Sequence, residues 1–213
     1  QPLFNGKNLN NWIQLGGDAD FHVEDKVIIG TAVPNTPNSF LTTDSAYGDF
    51  ILEFEVYLET GLNSGVQIRS RSNPEYRNGR VHGYQVEIDP SERAFSGGIY
   101  DEARRGWLYP LSRNEMARSA FRNARWNTVR VECVGNTINT WINGVHCARL
   151  VDDKTAQGFI GLQVHGIGNN EALVGAKVKW RNIRILTQDL KHHQWVKDPR
   201  VTEISYLKNV LTE

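Results

Sequence analysis

The chain has 213 residues, with 24 lysines and arginines against 24 aspartates and glutamates and a formal net charge of zero. A neutral chain without long basic runs argues against nucleic acid as a partner, because phosphate binding needs a concentrated cationic surface. No apolar run approaches the ~20 residues that span a bilayer, and the length is enough to bury a core without disulfide or metal staples.

The chain opens at Gln1-Pro2 rather than methionine, with no basic-then-apolar leader, as a chain that has lost an export signal would. A strand region is expected near 21–30, turned at Asp25-Lys26. Residues 50–58 then alternate cleanly, with Phe50, Leu52, Phe54, Val56 and Leu58 on one face. Asn63-Ser64-Gly65 leads into a strand at 65–71, Asn78-Gly79 into one at 83–89, and a further strand falls at 97–100. From Ser112 to Arg125 the period changes. Met116, Ala117, Ala120, Phe121 and Ala124 recur at helical spacing, with Ser112 as N-cap and Glu115 three residues on, which predicts one short helix in a long loop.

Strands at 128–134, 137–142 and 145–150 follow, joined at Gly135-Asn136 and Asn143-Gly144, the second being the strongest short hairpin signal. Strands near 159–165 and 177–186 flank the turn at Gly166–Asn170. Many short, turn-punctuated strands define an all-β sandwich or barrel rather than a parallel α/β sheet. From Thr187 the chain is polar and irregular, so the reading is one domain over 1–186 and a C-terminal extension over 187–213, with Trp195, Tyr206 and Leu207 available to pin it back. With two-residue turns, Cys133 faces Ile138 and Cys147 faces Thr140. A whole strand then separates the thiols, roughly 10 Å, beyond disulfide reach, so both are expected reduced and packed in the core.

Splitting each strand into its two faces exposes a pattern. Val66, Ile68 and Ser70 oppose Gln67, Arg69 and Arg71; Tyr84, Val86 and Ile88 oppose Gln85, Glu87 and Asp89; Ile160, Leu162 and Val164 oppose Gln163 and His165. The bland reading is the wet side of an antiparallel sheet. Such a face is usually rich in Thr, Lys and Ser, whereas these planar amides and forked donors suit the hydroxyls and ring oxygen of a sugar. Trp141, Tyr100, Trp107 and Tyr109 offer aromatic platforms for its apolar face. Glu87, Asp89 and Glu92 match the spacing of some retaining β-glucanases. Pro90 argues against that reading, because proline cannot donate to a ladder and ends or edges a strand. No fixed-spacing metal motif supports His82 or His165 as ligands.

Leu3-Phe4-Asn5-Gly6-Lys7-Asn8-Leu9 with Trp12, Asn63-Ser64-Gly65 with Arg69, and Gly83 to Asp89 resemble one family. So do Gly97-Gly98-Ile99-Tyr100, Arg104 to Leu108, Trp126-Asn127, Trp141 to Gly144, Gly161 to Gly166 and Arg181 to Ile185. These words are similar to the 3-keto-disaccharide hydrolase domain family, over about residues 3–186. The resemblance implies a concanavalin-A-like jelly-roll sandwich of two antiparallel sheets, a secreted or periplasmic protein, and a glycoside hydrolase or lyase acting on sugars oxidised at C3. One departure stands out. Many members read Glu-x-Gln-x-x-Asp where this chain has Gln85-Val86-Glu87-Ile88-Asp89.

A ketone at C3 acidifies the hydrogen on C2, so a base can form an enediolate that expels the C1 substituent. Glu87 and His165 are the acid/base candidates, and Arg69 or a bound divalent ion the enolate stabiliser. Gln67, Gln85, Tyr100, Trp107 and Gln163 would bind the sugar, with Arg71, Asp89, Arg105 and Trp141 completing the set. The competing reading is a non-catalytic, lectin-like carbohydrate-binding module, since the fold alone does not set function.

Overall fold

The computed structural model describes residues 1–59 and 61–207. In chain order the strands are β1 (Trp12–Gly16), β2 (Asp20–Glu24), β3 (Val27–Thr31), β4 (Ser39–Thr43), β5 (Phe50–Leu58), β6 (Ser64–Arg71), β7 (His82–Ile88) and β8 (Ile99–Glu102). They continue as β9 (Gly106–Tyr109), β10 (Asn127–Val134), β11 (Thr137–Ile142), β12 (Val145–Val151), β13 (Phe159–Val164), β14 (Lys177–Leu186) and β15 (Glu203–Ser205). A seven-stranded sheet has the order β1-β4-β13-β6-β7-β8-β9, and an eight-stranded sheet the order β15-β12-β11-β10-β5-β14-β3-β2. The expected two-sheet antiparallel sandwich is what forms, with β12–β15 as a parallel exception. Strands β1, β4, β9 and β15 add to those read from the sequence.

The alternation explains why the sheets stack. Phe50, Leu52, Phe54, Val56 and Leu58 are buried and share one core with Val66, Ile68, Tyr84, Val86, Ile88, Ile160 and Leu162. Each such side chain contributes about 1.5–3 kcal/mol on burial. Asn143 and Gly144 both take positive φ, 50° and 82°, as the primed turn of a tight hairpin requires. Among the described residues no helix is long and apolar enough to cross a membrane.

Cys133 pairs with Ile138 as expected, but Thr140 pairs with Ala148 and Trp141 with His146, so Cys147 is the extra residue of a β-bulge rather than the partner of Thr140. Both thiols are free, and burial pushes each up to about 12.

The predicted helix over 112–125 shrinks to a 3-10 turn at Leu111–Arg113 and one α-helical turn, α1 (Glu115–Arg118). Two asparagines take over the backbone groups that a longer helix would have paired. The Asn127 amide accepts from Arg122 N and donates to the carbonyls of Arg122 and Arg125. The Asn143 amide donates to the Ala120 carbonyl. With those groups satisfied, the loop does not need the helical ladder.

A second bulge decides what faces the outside of the seven-stranded sheet. Ile68 pairs with Tyr84 and Arg71 with His82, three residues of β6 against two steps of β7, and Arg69 sits at φ +48°. The extra residue reverses the phase. Ser70, expected on the apolar face, donates from Oγ to Gln67 Oε1 at 2.7 Å and so joins the polar one. Arg69, expected beside Gln67, turns the other way and is 1% exposed. Its Nε donates to the Gly48 carbonyl at 2.7 Å, Nη1 to the Gly135 carbonyl at 2.8 Å and Nη2 to Asp49 at 2.9 Å. It therefore ties the chain before β5 and the β10–β11 turn to β6, away from the polar face. Arg71, beyond the bulge, lines a separate exposed depression with Ser72, Asn73 and Gln157.

The extension folds back on the eight-stranded sheet. β15 pairs with β12, and the Tyr206 N–H donates to the Val151 carbonyl at 2.7 Å, which continues that pairing by one residue. Trp195 N donates to Glu132 Oε1 at 2.8 Å. Residues 208–213 of the expected extension lie outside the described residues.

Replacing Arg69 by Met should cost about 2–4 kcal/mol, since it strands two carbonyls that now accept charged hydrogen bonds. Urea denaturation read as a midpoint shift checks it. An unchanged midpoint would show that the bulge does not depend on the guanidinium.

Candidate active site

The outer face of the seven-stranded sheet is organised in rows set by strand register. Gln163, Gly65 and Glu87 lie opposite one another, and one step along the strands so do Gly161, Gln67, Gln85 and Tyr100, with Trp107 next to Tyr100 on β9. Gly83 and Glu102 form the row beyond. Above them is a depression of about 530 Å³, lined by Gln85, Glu87, Tyr100, Glu102, Trp107, Gln163 and His165 and walled by Asn38, Asn63, Arg77, Arg80, Arg93 and Arg104.

Buried amides need partners, and here they find one another. Ser70 donates to Gln67, Gln67 Nε2 to Gln85 Oε1 at 2.6 Å, and Gln85 Nε2 to Glu87 Oε2 at 2.8 Å. Asn63 Nδ2 donates to the other carboxyl oxygen of Glu87 at 2.8 Å. Glycine at 65 is what makes room, because a Cβ there would stand 2.5 Å from Gln85 Cδ. Burial pushes the Glu87 carboxyl above its ordinary range and Asp89 adds to this, while the two amide donors and Arg93 work against it.

Arg93 is the nearest cation, with Nη2 at 3.6 Å from Glu87 Oε1. Its Nε donates to Asp89 at 2.7 Å, and its guanidinium lies 5.1 Å from the Trp107 ring centroid and 5.3 Å from that of Phe95. Burial acts to raise Asp89, but hydrogen bonds from Ser91 and Arg93 outweigh it and hold this carboxyl below the usual range. Burial, with Glu102 and Glu87 nearby, raises Tyr100, so its hydroxyl stays a donor.

Val164 pairs with Ser64, so His165 leaves the strand beside Asn63, the residue that holds Glu87. Its Nδ1 lies 2.7 Å from the Gly166 carbonyl, which can only accept. Nδ1 therefore donates, and in the neutral ring Nε2 is the acceptor left for another partner. Gln163 is fully buried at the floor, and both polar atoms of its amide lack a hydrogen-bond partner.

Several expected site residues stand elsewhere. Besides Arg69 and Arg71, Trp141 is on the outer face of the other sheet, 2% exposed, stacked on His146 at 4.6 Å and edge-on to Trp195 at 5.6 Å. Tyr109 is buried in the core. Asp89 holds Arg93 without lining the depression. Arg105 turns from it too, bonding Asp101 at 2.5 Å and Asp152 at 2.8 Å. Arg104 lines it instead, fixed by Asp101 and Thr155 at 2.7 Å each. Gln67 lies directly beneath, as a support for Gln85. Sequence reasoning missed Arg93, whose only signal was its place four residues after Asp89, and Asn38, Arg77, Arg80 and Arg104, which come from turns.

Among the described residues no three histidine, cysteine, aspartate or glutamate side chains converge as metal ligands. Both Glu87 oxygens are already engaged by amide donors. The donor set therefore does not fit a resident divalent cation of the kind expected from the enolate chemistry.

The antiparallel two-sheet sandwich is a fold found in both carbohydrate-binding and carbohydrate-cleaving proteins. Residues 1–186 match the 3-keto-alpha-glucoside-1,2-lyase-like domain, and the chain belongs to that family. No curated protein matches it in sequence. Among solved structures it is similar to a candidate glycosyl hydrolase from Parabacteroides distasonis, at 18% identity and TM-score 0.62, covering 88% of this chain and 93% of that one. A Bacillus subtilis protein with a galectin-like fold aligns at 12% identity and TM-score 0.60, over 84% and 90%. A carbohydrate-binding module, also from Bacillus subtilis, aligns at 14% identity and TM-score 0.53, over 84% and 97%. At these identities the likeness concerns the fold.

The Glu87 carboxyl should titrate above the ~4.3 of an unperturbed glutamate, as followed by carbon-13 NMR. Arg93→Met should move its midpoint further up, because the cation that favours the ionised form is gone. A carboxyl raised in the folded state contributes stability below its unfolded pKa, and that contribution is lost as pH climbs through the folded value. A midpoint that falls in Arg93→Met would contradict the assigned contact.

Proposed function

We propose that the chain removes the C1 substituent from glycosides oxidised to a ketone at C3, beginning with the proton on C2. The observation that carries this is Glu87, a buried acid held above its usual range on the floor of an open depression that His165 also lines, with its Nδ1 turned to a backbone carbonyl. Membership of a family described by its 3-keto-glucoside lyase chemistry supports the substrate class.

In this reading His165 Nε2 takes the C2 proton. The C–H electrons form the C2–C3 double bond, and the C3 oxygen gains the charge. Arg93 and the Tyr100 hydroxyl face that oxygen, the role that the sequence assigns to Arg69. When the C3 carbonyl reforms, the double bond shifts to C1–C2 and the C1–O bond breaks. Protonated Glu87 supplies the proton to the departing oxygen. Release at this point gives a lyase product, whereas addition of water at C1 and a proton at C2 completes hydrolysis. The unmet amide of Gln163 and the Gln85 side chain orient hydroxyls, and Trp107 offers its ring to an apolar sugar face. A secreted or periplasmic setting goes with this reading.

The buried, unpartnered Gln163 amide and the aromatic pair Tyr100–Trp107 also favour a second reading, a module that binds sugar without cleaving it. Incubation with a 3-keto-glucoside and its unoxidised parent separates the two, since a binding module would leave both intact. Glu87→Gln and His165→Gln should each lower turnover about 10²–10⁴-fold, with keto-sugar binding changed far less. Deuterium at C2 should slow the unmodified protein. Full activity in both variants would remove the assignment.

A further inference from the structure

The depression extends well past the groups just described. Glu87 and Gly83, the partner of Glu102, are four residues apart on β7, roughly 13 Å at ~3.3 Å per residue. That span exceeds one pyranose ring, so whatever lies at the far end meets the part of the glycoside that departs.

The far end is built of guanidinium groups. Arg77, Arg80 and Arg104 line it. Arg80 has Glu102 at 3.3 Å, Arg104 shares Asp101 with Arg105, and Arg77 has no ion-pair partner among the described residues. Counting Arg105 and Asp152 in the same network, three guanidinium groups meet three carboxylates, which leaves Arg77 as the excess positive charge among the described residues. Arg104 Nη2 is buried with no hydrogen-bond partner. The near end has no such excess: with Glu87 protonated, as the proposed chemistry requires, Asp89 balances Arg93.

The backbone that carries these cations is tied down. Arg77 sits at φ +46°, a left-handed conformation that costs energy for a residue other than glycine. The adjoining Tyr76 hydroxyl donates to the Ala103 carbonyl at 2.7 Å, tying the loop of Arg77 and Arg80 to the turn that carries Arg104. Tyr76 also packs on His82, with ring centroids 4.0 Å apart.

We infer that this end is a subsite for a carboxylate on the departing part of the glycoside, an inference that rests on placing the chemistry at Glu87 and His165. The excess positive charge at one end orients such a substrate, with the keto sugar over Glu87 and the anion among the arginines.

The test uses the whole chain and three matched glucosides, phenyl, 4-carboxyphenyl and 4-(aminomethyl)phenyl, each as the parent and as the 3-keto form. By calorimetry the carboxylated ligand should bind about tenfold more tightly than the phenyl one, in the range of a hydrogen-bonded charge pair. The aminomethyl ligand should bind more weakly than either. The advantage should shrink in 1 M salt, where screening acts within ~3 Å, and the carboxyl-to-phenyl ratio should fall toward one in Arg77→Gln/Arg80→Gln. The unmodified protein's three affinities and their salt dependence decide the matter even if that variant does not fold. Equal binding of the carboxylated and phenyl ligands, or tightest binding of the cationic one, overturns the subsite. Carboxylate preference without turnover of any keto form would leave the subsite standing and remove the proposed chemistry; turnover without preference would do the reverse.

Discussion

Four polar side chains on one sheet face, Ser70, Gln67, Gln85 and Glu87, form a donor chain that ends on a carboxyl, and each link is buried. Unpaired, each amide would cost about 1–3 kcal/mol, so the chain has to be complete for the sheet to tolerate it. Its completeness depends on one inserted residue. Without the bulge at Arg69, Ser70 would point into the core and Gln67 Oε1 would lose its donor. The bulge in turn needs glycine across the ladder, because a Cβ at Gly83 would stand 2.4 Å from Ser70 Oγ. A single backbone irregularity thus supplies the floor of the depression and removes an arginine from it.

The same logic of pairing runs through the wall. Asp101 and Asp152 are buried, and between them they take Arg104, Arg105 and the Tyr84 hydroxyl, which Asp152 accepts at 2.5 Å. Burial, together with Asp152, raises Tyr84 and keeps that proton in place. Both adjacent arginines bond Asp101, and of the two Arg104 lines the depression.

Much of this was legible beforehand wherever a rule of period two applied. β5, β7, β10 and β11 were readable from alternation and turn residues, and the same alternation put Gln85, Glu87 and Gln163 on one face. What could not be read was any place where the period breaks. The bulge at 69 inverted Arg69 and Ser70, and the one at 147 moved Cys147 off Thr140, because an extra residue leaves no mark in composition. The helix over 112–125 failed for a different reason: Asn127 at the start of β10 and Asn143 in the β11–β12 turn meet the loop's backbone, and a local count of apolar residues does not see them. Arg77, Arg80 and Arg104 come from turns, where spacing carries no information about direction.

The docking of the tail has a consequence for how the chain can be handled. The family match ends at residue 186, yet Trp195 lies edge-on to Trp141 and under Arg130, whose guanidinium is 4.4 Å from its ring centroid. Glu132, fully buried, accepts from Arg130 and from the Trp195 backbone. A fragment trimmed at the family boundary would therefore bare an indole, a carboxylate and the edge of β12 at once, and an open strand edge beside an apolar ring invites pairing between molecules. The strand β15, beyond the end of the family match, is an edge strand of the eight-stranded sheet.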